Sequence, residues 1–93
     1  MSVIADFAEP TTVTLAEIRR HGIAYDDKQW AVYEAWKGPK GTFVILHNRA
    51  GIAKPWHAVF IGKTWDGSIG AYMPAKATSY EETIRSCRNR VFR

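Results

Sequence analysis

The chain has 93 residues, 46% apolar and 13% aromatic, which is enough for one hydrophobic core, too few for two, and too apolar for a disordered chain. Its single cysteine excludes an internal disulfide framework, and no apolar run reaches the roughly 20 residues with which a helix spans a bilayer. The net charge of +4 is unevenly spread, with six acids against three bases in residues 1–36 and ten bases against three acids in 37–93, so phosphates or an acidic protein surface are the expected partners, with no membrane.

The opening "MSVIADFAEP" has neither the basic nor the long apolar region of a secretory signal, and a cytoplasmic protein is expected. Residues 1–13 are taken as an N-terminal segment. The first predicted element is a short helix over 14–22, "TLAEIRRHG" from Thr14 on. Thr14 and Glu17 have capping-box spacing, Leu15 and Ile18 form an apolar face, and Gly22 supplies a left-handed stop.

The next stretch, "QWAVYEAWKGPKGTFVILHN", is punctuated by Gly-Pro-Lys-Gly at 38–41 and predicts a β-hairpin of aromatic and β-branched strands. A helix over 27–37, capped by Asp26 or Asp27 and stopped at Gly38, is the rival. A third strand, "WHAVFIGKTW", leads to the turn signal Asp66-Gly67, and a short strand "IGAYM" follows until Pro74 ends it. A second helix spans 79–92. Ser79 and Glu82 form its capping box, and Tyr80, Ile84, Cys87 and Val91 form one apolar stripe.

The fold class is therefore α+β: one domain over 1–93, with a three- to four-stranded antiparallel meander at 29–73 and a C-terminal helix on one sheet face. The order α-β-β-β-α is similar to that of the double-stranded-RNA-binding domain, and its β-β-β-α part resembles the amino-terminal DNA-binding domain of phage integrases. The match is of topology only: where the former carries lysines at the start of its last helix, this chain reads "ATSYEET".

The hairpin loops set a register in which Trp36 faces Phe43, Glu34 faces Ile45, Val32 faces His47, and His47 faces Trp56. Strict alternation then gathers Trp30, Val32, Glu34, Trp36, Phe43, Ile45, His47, Trp56, Ala58 and Phe60 on one face. Ala31, Tyr33, Ala35, Val44, Leu46, His57, Val59 and Ile61 lie on the other. The smaller, aliphatic face suits the C-terminal helix. The aromatic face is then either covered by Val3, Ile4, Phe7 and the first helix or left bare for a partner, including a second copy in a homodimer.

The chemistry-bearing residues are few. His47 and His57 fall on opposite faces in this register, Cys87 sits on a buried stripe, and no paired Cys or His spacing suggests a metal or cofactor. Glu34 and His47 share a face, with Arg49 following in the loop, and the three could serve a ribonuclease as acid, base and phosphate clamp. The favoured expectation is a non-enzymatic binding module for nucleic acid. In it Arg49, Lys54, Lys40 and the terminal arginines Arg88, Arg90 and Arg93 meet phosphates, while Trp56 or Trp36 stacks on bases. The alternative is a protein–protein module, such as a small phage accessory protein acting as an inhibitor or adaptor that blocks a host complex.

Overall fold

The structure is a computed structural model and describes residues 9–38, 41–63 and 66–91, with backbone alone at Pro74 and over 87–91. Five strands and two helices follow in the order β1 (Glu9–Thr11), α1 (Leu15–Arg20), β2 (Trp30–Gly38), β3 (Gly41–Asn48), β4 (Trp56–Lys63), β5 (Ile69–Ala77) and α2 (Tyr80–Val91). The strands form one antiparallel sheet in sequence order. Residues 30–38 are a strand, so the helical alternative for 27–37 is overturned: its aromatic and β-branched residues pair with β3. Strand β1 was not expected, and it lengthens the sheet by pairing Glu9 to Thr11 with Lys37 to Ala35. The resulting order, β-α-β-β-β-β-α, departs from that of both domains it resembled.

Both helices start where capping predicts. The Thr14 hydroxyl accepts from the Glu17 N–H at 3.2 Å. At the other end of α1, Gly22 takes φ +97, and the Gly22 and Ile23 N–H groups bond to the Arg19 and Ile18 carbonyls, a Schellman stop. Ser79 caps α2 by accepting from the Glu82 N–H at 3.2 Å, while the Glu82 carboxylate takes the Thr78 hydroxyl at 2.9 Å.

Across β2–β3–β4 the expected register holds at Trp36↔Phe43, Glu34↔Ile45 and His47↔Trp56. It breaks at one place. Val32 pairs with Leu46 and Glu34 with Ile45, so Tyr33 is an extra residue in β2, a β-bulge. A one-residue insertion reverses the faces of everything before it. Trp30 and Val32 therefore pack with Ala35, Val44, Leu46 and Val59, and Tyr33 moves to the side of Trp56. A second bulge sets Val59 against Met73 and Pro74, because Ala58 pairs with Ala75 and Phe60 with Tyr72. This corrects the expectation that Pro74 ends the last strand: β5 lies at the sheet edge, where a residue without an N–H is tolerated at a bulge.

The helices lie on opposite faces, reversed from expectation. The α1 segment covers the aliphatic face, burying Val13, Ile18 and Tyr25 against Trp30, Leu46 and Val59. Helix α2 covers the aromatic face, burying Ile84 against Phe43, Ile45, Ala58 and Ala75, with Trp36, Trp56 and Tyr80 at the margins. The physical reason lies in side-chain volume. Ala58, Ala75 and Ala77 are 9% exposed or less and form a low patch on β4 and β5 that admits a helix, with large rings at its rim. The aromatic face, expected to be either covered by the N-terminal segment and first helix or left bare, is instead packed by α2. Val3, Ile4 and Phe7, expected to cover it, lie outside the described residues. No helix among the described residues is long and apolar enough to cross a membrane.

Candidate nucleic-acid interface

The last pair of the β3–β4 ladder, His47↔Trp56, marks one end of the sheet, and the loop 49–55 leaves from it. Asn48 holds the foot of this loop. It is 3% exposed, its side-chain oxygen accepts from the Ala50 N–H at 2.6 Å, and its own N–H reaches the Pro55 carbonyl at 2.8 Å. The Arg49 N–H is tied to the Gln29 carbonyl at 2.8 Å. The loop that then projects, with Arg49, Ile52 and Lys54 exposed, is anchored at both ends.

Against the foot of the loop stands a cluster of rings. His47 lies on Trp56 with centroids 4.4 Å apart. Tyr33 meets Trp56 edge-on at 4.9 Å and Tyr80 at 5.4 Å, and Tyr80 meets Trp56 at 5.6 Å. The Tyr33–Trp56 and Trp56–Tyr80 contacts are edge-to-face, an arrangement that aromatic pairs favour. Tyr33 is 58% exposed, the most exposed large hydrophobic side chain described. Beside it the Tyr80 hydroxyl donates to Glu34 Oε1, which pins the carboxylate to the first turn of α2. The bulge is what puts consecutive residues, an exposed ring and a carboxylate, on the same side of the sheet.

The sequence-predicted residues are only partly brought together. Arg49, Lys54 and Trp56 share this end. Trp36 does not: it pairs with Phe43, four residues along β3 from His47, which is about 13 Å at the usual rise per residue. It is half-buried, and its indole N–H is enclosed without an acceptor among the described residues. Lys40 and Arg93 lie outside the described residues. Arg88 and Arg90 belong to α2, eight and ten residues beyond Tyr80 and so about 12–15 Å along its axis, and their side chains are not described. Glu34 and His47 share a face as expected, but each already has an aromatic partner, Tyr80 and Trp56. Among the described residues no three His, Cys, Asp or Glu side chains converge.

Sequence reasoning missed Tyr33, Tyr80 and Asn48. Unbroken alternation had put Tyr33 on the other face, and Tyr80 was read only as core. The Asn48 turn had a signal in "NRAG", where an Asn side chain bonds two residues ahead before a glycine, Gly51, at φ +74.

His57 lies on the opposite face, as expected, in a buried polar cluster. The Tyr25 hydroxyl and His57 Nδ1 are 3.1 Å apart, and Trp30 lies on the imidazole at 4.2 Å. Burial lowers the His57 pKa from 6.5 to about 4, with the neighbouring Lys76 adding repulsion. Burial likewise pushes the Tyr25 phenol up, so a protonated phenol shares this hydrogen bond with a neutral imidazole. This pair holds the segment after α1 to β4.

No known family model matches the chain, and no curated protein or solved structure shows significant similarity to it.

Proposed function

We propose that this chain is a non-enzymatic module that binds single-stranded nucleic acid across the aromatic end of its sheet. One observation carries the reading: the bulge presents Tyr33, 58% exposed, beside Trp56, His47 and Tyr80 at the foot of a basic loop. Mutually packed rings offer bases a stacking surface whatever their sequence, and loop cations need only reach and charge to meet phosphates. Arg49 and Lys54 supply that charge, and the net charge of +4 steers a polyanion toward the molecule.

Fluorescence anisotropy with a labelled single-stranded oligonucleotide at several salt concentrations tests this. Affinity falls as salt rises, and each of Arg49→Ala and Lys54→Ala lowers the log–log slope by about 0.7. Tyr33→Ala weakens binding by about tenfold, the loss of one stacked base. Affinity indifferent to salt, or untouched by Tyr33→Ala, defeats the reading.

A second reading, docking on an acidic protein surface, is favoured by Ile52, an apolar side chain 43% exposed in the same basic loop. Under that reading Ile52→Glu abolishes partner capture. Under the first it leaves Tyr33-dependent oligonucleotide binding in place, weakened only by the added charge.

A further inference from the structure

Tyr33 and Glu34 are neighbours in sequence, yet both belong to the α2 side of the sheet, one as an exposed ring and the other as a half-buried carboxylate. Regular alternation would have separated them. Bulges that re-aim a side chain recur beside binding sites, and this one joins a stacking surface to an acceptor. The acid is out of place in a site that otherwise offers cations to a polyanion. Its repulsion of phosphate is a cost that a purely electrostatic grip would not carry.

Two ligand chemistries use an aromatic surface beside a carboxylate. One is an organic cation enclosed by rings. A cation about 4.5–5 Å from each of three mutually perpendicular rings needs ring centroids about 6.5–7 Å apart. Those of Tyr33, Trp56 and Tyr80 are 4.9, 5.4 and 5.6 Å apart, so the rings fill the space between them. The other is a nucleobase that stacks on the outer ring and turns its hydrogen-bonding edge to the acid.

We infer that Glu34 reads the base stacked on Tyr33 and selects guanine; the inference rests on the single-strand binding proposed above. A carboxylate is an acceptor on both oxygens, with about four lone-pair sites in all. Tyr80 occupies one of these on Oε1 and fixes the plane of the group, which makes Tyr80 a positioning residue. Guanine alone presents two adjacent donors, N1–H and the N2 amine, on its Watson–Crick edge, and these match the two oxygens. Adenine and cytosine each set one donor amine beside an acceptor nitrogen. Thymine and uracil flank a single N–H with two carbonyls, which a carboxylate repels. Partial burial keeps water from competing for the pair and sharpens the discrimination.

The test uses heptanucleotides of thymine whose central base is guanine, inosine, adenine, cytosine or thymine, titrated against the protein by fluorescence. The central guanine binds about tenfold tighter than thymine, as for one bidentate base contact. Inosine, which lacks the N2 amine, falls between them. Glu34→Gln brings the guanine and thymine heptamers to within about twofold of each other. Tyr80→Phe narrows the preference as well, since the carboxylate loses its fixed orientation. Equal affinity for the five heptamers in the wild type overturns the base reading while leaving single-strand binding standing. So does a guanine preference that survives in Glu34→Gln. If none of the heptamers binds at low salt, the binding reading falls and this inference with it. Tryptophan quenching by trimethyllysine, lost in Glu34→Gln and without any base preference, assigns the site to a cation instead.

Discussion

The buried Tyr25–His57–Trp30 cluster predicts that stability falls with acidification over a defined range. The His57 pKa is about 4 in the folded chain and 6.5 for an exposed imidazole, so the unfolded chain takes up its proton first. Above pH 6.5 both states are neutral at this residue and its contribution to stability is complete. Between pH 6.5 and 4 the unfolded state binds more protons and stability declines; below about pH 4 the loss is finished. At about 1.4 kcal/mol per pKa unit, the full shift would amount to about 3.5 kcal/mol. Lys76 is exposed, so its repulsion is screened, and His57 keeps 9% of its surface exposed, which relieves part of the burial penalty; the expected loss is about 1–2 kcal/mol. Urea unfolding followed by tryptophan fluorescence from pH 7.5 to 4 provides the measurement, with His57→Gln as reference. The glutamine amide can share a hydrogen bond with Tyr25 as either donor or acceptor and has no proton to gain, so subtraction removes the carboxylates that titrate in both proteins. The wild-type advantage over His57→Gln shrinks by that amount as pH falls. A difference that stays flat across the range refutes the argument, since His57 would then bind its proton equally in both states.

Two further outcomes follow from the loops and turns. Gly41 sits at φ +150, and a Cβ there would lie 2.4 Å from the Ile61 carbonyl oxygen and 2.9 Å from Gly62 Cα, so Gly41→Ala costs about 2–3 kcal/mol in chemical denaturation. Gly51, at φ +74 with nothing within 4 Å, loses only about 1 kcal/mol on the same change, and equal costs at the two sites would refute the steric account. Asn48→Ala frees the Ala50 N–H, speeds its hydrogen exchange and costs about 1–2 kcal/mol; an unchanged exchange rate would show that the turn does not depend on the side chain.

Much of this fold is legible in the chain itself. Thr14 and Ser79 mark helix starts because a side-chain oxygen three residues before a free N–H can satisfy it locally. The Gly-Pro-Lys-Gly stretch at 38–41 marks a hairpin, which sets Lys37 against Thr42 and carries the register onward to Phe43↔Phe60 and His47↔Trp56. These features depend on near neighbours, and sequence displays near neighbours directly. The opposed faces of His47 and His57 follow from the same register, since adjacent pairs along a ladder alternate.

The candidate site was visible in the sequence as a basic loop beside Trp56, with Glu34 and His47 on the same face. Its other parts depend on events without local signature. An extra residue at Tyr33 disturbs one ladder position, and nothing in "AVYEA" distinguishes it from regular alternation. Yet that residue decides that Trp30 supports the buried His57 while Tyr33 joins Glu34 and Tyr80 at the surface. Period-two alternation sorts side chains into two sets and is silent on which set a helix will cover. That choice was made by volume, where the low patch at Ala58 and Ala75 met Ile84 of α2. The chain alone determined its strands, its caps and most of its register, because those are properties of neighbouring residues. Only the packed structure decided which helix lies on which face and which rings reach the surface, because those depend on how distant side chains fill one common space.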